Sequence, residues 1–212
     1  MRKQIAAVGS LLLMLALSAL AAAAAETPGG AGKLSVAVFA GGCFWCVEEA
    51  FEEVPGVARA VSGYTGGTTV NPTYTEVSGH GTGHFEAVQV TFDPAKVSYA
   101  RLLDWFWRNI DPLDVAGQFC DKGSPYRSAI FYGDEEQQKI AEASKAALQA
   151  SGRLHGRIAT LILPAGPFYP AEEYHQGYAK KNPFKYQYYK QGCGRAQRLE
   201  RIWGPPAPPP TQ

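Results

Sequence analysis

The feature that most constrains this chain is an apolar run that ends at two glycines and opens onto two cysteines. Residues 33–46 read KLSVAVFAGGCFWC, and a short apolar run bounded by glycine predicts a buried β-strand. The next apolar residues recur at the spacing of one helical face: Val47, Ala50, Phe51 and Val54. The sequence therefore predicts a strand that turns into a helix, with Cys43 at the corner.

The rest of the chain predicts a mixed α/β fold. Further strands are predicted at 57–67, 84–93, 126–132 and 157–166, and a long polar loop at 68–83. Helices are predicted at 98–110 and 134–152, with Ser98 and Asp134 at their starts. This order predicts an α/β (α+β) two-layer sandwich, with a mixed sheet and a split βαβ (ferredoxin-like) core.

The C-terminal part lacks a regular pattern. After residue 166 the chain is rich in aromatic residues, glycine and proline. We expect a long irregular segment wrapped over the domain. Residues 204–212, GPPAPPPTQ, are expected to form an extended, mobile polyproline tail. The predicted domain is therefore a single one over 33–203.

The N-terminus has the layout of a secretory signal peptide. Arg2 and Lys3 precede an apolar stretch and then small residues, so we expect cleavage after Ala25 and a flexible linker over 26–32. The alternative is an uncleaved membrane anchor, because the stretch approaches spanning length. Export predicts a periplasmic or extracellular location, and no membrane association after cleavage.

The overall charge argues against nucleic acid as a partner. The formal net charge is +1, and removing the leader with its two basic residues lowers it to −1. No basic cluster stands out, so nothing attracts a polyanion.

The four cysteines leave several interpretations open. Cys43 opens a helix, where unpaired N–H groups favour a thiolate and can lower a cysteine pKa to roughly 3.5–7.5. Cys46 completes a C-x-x-C pair, which is typical of redox dithiols and of metal ligands. In a secreted chain, structural disulfides are the plain alternative. A metal module with His80 and His84 fits poorly. A zinc finger places its cysteines and histidines about 12–15 residues apart, whereas a much longer stretch separates Cys46 from His80 here.

Two further features indicate a small apolar pocket with an acid. Phe44 and Trp45 lie beside the thiol and suggest a hollow that grips a small apolar group, although both rings could be ordinary core. Glu86 shares a strand face with Val88 and Val90, and burial there would raise its pKa and prepare a proton donor. The alternative for Glu86 is an edge-strand charge that faces water.

Residues 35–183 resemble a known family. The motifs occur in the family's order: GGCFWCVE, GYTGG, NPTYTEVSGHGTGHFEAVQVTFDP, LLDWFWRNIDP, QFCDKGSPYRSAIFY and PFYPAEEYHQGYAKKNP. Together they resemble the peptide methionine sulfoxide reductases of the A type. The resemblance implies a two-layer α/β sandwich and the reduction of methionine sulfoxide, as the S epimer, free or in proteins.

The resemblance also implies site residues. It makes Cys43 the nucleophile and Glu86 the acid that protonates the sulfoxide oxygen. It makes Tyr64 and Tyr126 the phenols that hold that oxygen, and Asp121 a polar residue of the site. Phe44 and Trp45 are the implied wall that receives the methyl group. It implies no cofactor and no metal, but an external dithiol such as a thioredoxin-like protein. We expect a monomer that repairs oxidised exported proteins.

The cysteines depart from the family's pattern, because many members have Gly at Cys46 and Asn at Cys120. The thiol that resolves the sulfenic acid is therefore open. We favour Cys193, which glycines flank, over Cys46 and then Cys120.

Two rival functions remain. An exported C-x-x-C thiol–disulfide oxidoreductase would need only Cys43 and Cys46, and a metal-binding module would need the cysteines and histidines. Neither needs Glu86, Tyr64 or Tyr126.

Overall fold

The computed structural model describes residues 33–210. The predicted signal peptide (1–25) and linker (26–32) therefore lie outside the described residues, as do the last two residues of the tail. The strands are β1 Ser35–Gly41, β2 Val57–Thr65, β3 Phe85–Phe92, β4 Gly117–Gln118, β5 Asp121–Lys122, β6 Ser128–Tyr132, β7 Leu161–Pro164 and β8 Tyr169–Pro170. The helices are α1 Phe44–Glu52, α2 Tyr74–Ser78, α3 Tyr99–Arg108, α4 Glu135–Ala150, α5 Tyr178–Lys181, α6 Pro183–Gly192 and α7 Arg195–Trp203.

One mixed sheet organises the domain. Its six strands lie in the order β7-β6-β1-β3-β2-β8. Strands β6 and β7 pair in parallel, and the other neighbours pair antiparallel. A separate hairpin of β4 and β5 carries Asp121. Because β1 and β3 are interior strands, side chains on their helical face are withdrawn from water.

The helices α1, α3 and α4 cover one face of this sheet. Phe39 of β1 is fully buried there and stacks on Phe51 of α1 at 4.8 Å and on Phe106 of α3 at 5.1 Å between ring centroids. The opposite face buries a smaller cluster that includes Val38 and Ala40. Alternate residues of β1 thus point to two different layers, as the period of a strand requires. The predicted mixed α/β architecture is confirmed.

The predicted helix starts at Ser98 and Asp134 are also confirmed. Ser98 Oγ accepts a hydrogen bond from the backbone of Arg101, and Asp134 does the same for Gln137. Each cap satisfies a backbone N–H that the first helical turn leaves unpaired.

The predicted polar loop at 68–83 contains a short helix, α2, that was not predicted from the sequence. Thr73 accepts from the Glu76 backbone, and the Glu76 carboxylate accepts from the Thr73 backbone. This reciprocal capping box stabilises a single turn in a stretch too short and polar to show a helical period.

The prediction of an irregular C-terminal segment is wrong over residues 178–203, where three helices follow one another. Pro183 occupies the first turn of α6, where its missing N–H costs nothing. Gly194 adopts φ +68°, which lets the chain end α6 and begin α7 at once. The pattern was obscure because α6 buries few residues: Tyr186 is its one buried side chain.

Residues 204–210 form neither helix nor strand. Ala207 lines the same cavity as Trp105 and Arg108 of α3. No helix among residues 33–210 is long and apolar enough to cross a membrane.

Candidate active site

The corner between β1 and α1 is built by two glycines that have no room for a side chain. Gly42 has φ +84°, and a Cβ there would lie 2.6 Å from Gln118 Cβ. A Cβ on Gly41 would lie 2.9 Å from Ile110 Cγ2. The chain therefore turns tightly against its neighbours, and Cys43 takes the N-cap position of α1.

Cys43 and Cys46 are free, buried thiols one helical turn apart. Burial raises the pKa of Cys43 well above its usual range, and the Cys46 sulfur beside it adds to the rise. A hydrogen bond from Cys43 lowers the pKa of Cys46, and the positive charges of Arg195 and Lys190 act in the same direction. The two opposite shifts favour a neutral Cys43 beside a more acidic Cys46.

The expected lowering of the Cys43 pKa by the helix N-terminus is therefore wrong for the resting enzyme. Burial disfavours the charged thiolate, and this effect is the largest cause of the raised Cys43 pKa. Cys46 lies beside Cys43 and interacts with its thiol.

Glu86 lies next to the nucleophile. It sits on interior strand β3, is 2% exposed and pairs across the sheet with Tyr64. Its Oε2 accepts a hydrogen bond from the backbone N–H of Phe44 at 3.0 Å. Burial raises the pKa of Glu86 to about 8, against the opposing effect of that hydrogen bond. The carboxyl is thus protonated at neutral pH, and the alternative of an edge-strand charge facing water is wrong.

Two of the predicted site residues are phenols held away from ionisation. Tyr64 is fully buried, and its hydroxyl donates to Glu172 Oε2 at 2.8 Å. Burial raises the pKa of Tyr64 and of Tyr126, and the nearby Glu86 carboxylate would raise both further. Both groups are therefore neutral hydrogen-bond donors, and Tyr126 lies within the electrostatic reach of Glu86.

Asp121 is half-buried on β5. Its Oδ2 accepts a hydrogen bond from the Tyr189 hydroxyl at 2.5 Å. Burial raises the pKa of Asp121, and the negative charge of its ionised carboxylate helps to raise the pKa of Glu86. Asp121 thus belongs to the same group of buried polar side chains.

The aromatic wall beside Cys43 is held by contacts from the C-terminal segment. Trp45 Nε1 donates to His175 Nδ1 at 3.0 Å, and the Trp45 ring stacks on Tyr178 at 3.7 Å between centroids, with 6° between the ring planes. Phe44 is buried and lies 4.9 Å from the His175 ring, centroid to centroid. The two rings are therefore fixed in orientation, as a shaped apolar surface requires.

Two further tyrosines of the site, Tyr74 and Tyr189, were not predicted from the sequence. The Tyr74 ring lies 6.5 Å from Phe44 and 4.5 Å from His175, centroid to centroid, and burial and then the nearby Glu86 raise its pKa. Tyr189 packs beside the cysteine pair. Tyr74 lies inside a quoted motif and could have been found there. Tyr189 lies in α6, which showed no recognisable pattern.

Cys193, the preferred resolving cysteine, is part of a disulfide in this structure. Cys193 is bonded to Cys120 with an S–S distance of 2.01 Å, so neither residue holds a thiol. Cys46 is the one candidate that keeps a thiol beside Cys43. Sequence position could not reveal this pairing, because the two cysteines are 73 residues apart.

One of the two histidines of the metal-module alternative, His84, has partners within the protein on both ring nitrogens. The His84 ring accepts from the Gly67 backbone N–H at 3.1 Å and contacts the Thr69 carbonyl at 2.8 Å. Within residues 33–210, three metal-type side chains cluster only at Cys120, Asp121 and Cys193, where the sulfurs are bonded to each other.

A buried thiol pair, a protonated carboxyl and fixed aromatic rings define a thiol-dependent reductase. A family model of peptide methionine sulfoxide reductase matches residues 35–206. The chain belongs to this family, and the protein is a peptide methionine sulfoxide reductase.

Relatives and solved structures agree. The protein named peptide methionine sulfoxide reductase MsrA from Bacillus licheniformis is 55% identical over 174 residues, which cover 82% of this chain and 96% of the relative. The MsrA of Bacillus subtilis is 55% identical over 81% of this chain and 97% of the relative.

The fold is shared with two proteins of solved structure. Reduced Mxr1 from Saccharomyces cerevisiae has a TM-score of 0.67 and 32% identity, covering 71% of this chain and 86% of its own. Methionine sulfoxide reductase A of Corynebacterium diphtheriae has a TM-score of 0.63 and 37% identity, covering 74% of this chain and 77% of its own.

Proposed function

We propose that this enzyme reduces the S epimer of methionine sulfoxide, free or in proteins, through a sulfenic acid on Cys43. The observation that carries the proposal is the hydrogen bond from the Phe44 backbone to the buried Glu86 carboxyl. It ties an acid with a pKa raised to about 8 to the residue directly after the nucleophile.

In the first step, an acid and a nucleophile must act together on the sulfoxide group of the substrate. A sulfoxide sulfur is a poor electrophile until its oxygen accepts a proton. Glu86 supplies that proton while Cys43, whose proton passes to Cys46, attacks the sulfur. Tyr64 and Tyr126 hold the oxygen, with Asp121 as a neighbouring polar group. The products are the thioether and Cys43 as sulfenic acid.

The methyl group determines where the substrate lies. Phe44 and Trp45 offer an apolar surface that accepts a CH3 group on sulfur and excludes water. Trp45 is oriented by His175 and Tyr178, so its ring does not turn away. The preference for one epimer follows from this arrangement, because the oxygen and the methyl group have separate fixed places.

The second step forms a disulfide with Cys46. The Cys46 sulfur attacks the Cys43 sulfenic acid, an S–S bond forms, and the hydroxyl leaves with a proton as water. A thioredoxin-like dithiol then reduces this disulfide by exchange and is itself oxidised. The cycle uses no prosthetic group, because the electrons come from that dithiol.

The cellular setting follows from the sequence. The leader-like residues 1–25 support export to the periplasm, where oxidised proteins would be the substrates and the cleaved enzyme would act as a monomer without a membrane or nucleic acid partner. We also infer that the order β6-β1-β3-β2 corresponds to a split βαβ, ferredoxin-like core.

The test is the reduction of each epimer of a methionine sulfoxide peptide with dithiothreitol as electron source. We expect reduction of the S epimer alone and no reduction by Cys43→Ser. Insulin reduction faster than sulfoxide reduction would favour the C-x-x-C oxidoreductase instead. A largely active Cys43→Ser variant would reject the mechanism.

A further inference from the structure

Tyr189 contacts both the buried cysteine pair and Asp121. It lies in α6, against the buried cluster of Cys43 and Cys46, and its ring meets Trp45 edge-on at 5.8 Å. Its hydroxyl donates to Asp121 Oδ2 at 2.5 Å, and its position beside the cysteine pair acts to lower the pKa of Cys43. A single phenolic proton thus faces two acceptors.

The disulfide outside the active site holds this phenol in place. Cys193 caps α6, and its backbone N–H donates to the Tyr189 carbonyl at 2.9 Å. Cys193 is bonded to Cys120, the residue directly before Asp121. The Cys193 sulfur also lies 4.0 Å from Asp121 Oδ2. One covalent bond therefore fixes the helix end that carries Tyr189 against the hairpin that carries its acceptor.

We propose that Tyr189 is a further catalytic residue, which keeps its proton and donates a hydrogen bond to the Cys43 sulfur as that sulfur becomes a thiolate, and that the Cys120–Cys193 disulfide positions it. This proposal rests on the proposed function. It assigns the disulfide a positioning role in place of a role in recycling.

The chemistry requires such a donor. Once the Cys43 proton passes to Cys46, a negative charge stands in a buried site. The titratable groups that face Cys43 are Cys46, Glu86, Tyr74 and Tyr189. Glu86 gives its proton to the sulfoxide oxygen, so it is not available for the sulfur. The hydrogen bond from Tyr189 favours the thiolate and acts to lower the Cys43 pKa.

The first experiment compares Tyr189→Phe with Tyr188→Phe. Tyr188 is the preceding residue of α6 and is 84% exposed, so it is a matched control. The readout is the rate of Cys43 alkylation by iodoacetamide from about pH 6 to about pH 10, located by mass spectrometry. Alkylation reports the thiolate and needs no proton from Glu86. We expect Tyr189→Phe to move the profile to higher pH by about one unit, an approximately tenfold loss at neutral pH.

A second readout is the single-turnover reduction of a methionine sulfoxide peptide. The enzyme is first reduced until two free thiols are titrated per chain. These thiols are Cys43 and Cys46, so the disulfide between Cys120 and Cys193 remains intact. We expect about tenfold slower methionine formation by Tyr189→Phe and an unchanged rate for Tyr188→Phe. If the wild type forms no methionine but the alkylation profile still shifts, the proposed function fails and the Tyr189 contact stands.

The positioning role is tested by removing the disulfide. Cys120→Ser with Cys193→Ser should shift the alkylation profile in the same direction as Tyr189→Phe. Adding Tyr189→Phe to this pair should cause no further loss, because both changes remove the same interaction. If the alkylation rate lost in the triple variant equalled the product of the two separate losses, the positioning role would be overturned. A wild-type alkylation profile for Tyr189→Phe would overturn the whole proposal. Should the paired serine variant not fold, the Tyr189→Phe profile decides alone.

Discussion

Glu86 shows how position alone changes the chemistry of one residue. In water a carboxyl gives up its proton near pH 4 and would be a poor acid at neutral pH. On interior strand β3 its charged form loses hydration, and the pKa rises to about 8. Cys43 shows the same effect on a thiol, because burial keeps it protonated until Cys46 accepts the proton. The site therefore stores both reacting groups in their neutral forms.

Replacing Glu86 with Gln removes the proton donor. We expect single-turnover reduction to fall by about 10²–10⁴-fold, the usual contribution of a positioned acid. The wild-type rate should fall as pH rises through about 8, because Glu86 then loses its proton. The variant should lack this fall. Glu173→Gln is the control, since its side chain is 89% exposed. An undiminished rate in Glu86→Gln would contradict the mechanism.

Replacing Cys46 with Ser separates reduction from recycling. We expect Cys46→Ser to form about one methionine per enzyme and then stop when a protein dithiol is the reductant, because the sulfenic acid has no thiol partner. Dimedone should label Cys43 in this variant after substrate is added. Wild-type turnover by Cys46→Ser would show that another group resolves the sulfenic acid.

At the scale of elements, the short strand β8 joins the C-terminal segment to the site. It pairs with β2 at Gly63 and Tyr64. The chain then continues to Glu172, which accepts from the Tyr64 hydroxyl, and to Gln176, whose side chain bonds both backbone groups of Ser62. A two-residue strand thus orients one of the phenols of the site.

Gly63→Ala should disrupt this junction. An added Cβ would lie 2.4 Å from Phe168 Cζ and 2.5 Å from the Tyr169 carbonyl oxygen, so β8 must move. Overpacking of this kind costs about 1–3 kcal/mol, and we expect a lower urea midpoint together with slower reduction. Gly166→Ala, with no atom within 4 Å of the new Cβ, should leave both unchanged. Equal midpoints for the two variants would argue against a tight junction at Gly63.

At the scale of the whole molecule, the buried acid makes the stability of the fold depend on pH. The pKa of Glu86 is about 8 in the folded protein, against an ordinary value of 4.5. Between these values the folded state binds more protons than the unfolded state. The free energy of unfolding therefore falls as pH rises, since each pH unit in this range costs about 1.4 kcal/mol. The contribution of neutral Glu86 to the free energy of unfolding is fully present below about pH 4.5 and is lost above about pH 8.

Urea unfolding of the wild type and of the Glu86→Gln variant measures this effect. Between about pH 5 and about pH 8 we expect the free energy of unfolding of the wild type to fall by roughly 3 kcal/mol relative to that of the variant, because the amide in the variant cannot titrate. Parallel pH dependences of the two proteins would show that Glu86 is not buried as a neutral group.

The sequence by itself determined the residues that local pattern and motif can identify. The strand–helix corner at Cys43 follows from periodicity and from Gly42, and the caps at Ser98 and Asp134 follow from residue type. The family motifs pointed to Glu86. These features are encoded within one or two turns of chain, where local sterics and hydrogen bonding decide the conformation.

Only the tertiary structure decided which distant residues meet. Phe44 and Glu86 are 42 residues apart, and Asp121 and Tyr189 are 68 apart. The Cys120–Cys193 bond, on which the proposal of Cys46 as the resolving thiol rests, joins two segments 73 residues apart. Burial and pKa arise from the whole packed environment of a side chain. A one-dimensional pattern therefore cannot supply them, because the neighbours that withdraw Glu86 and Cys43 from water come from many separate segments.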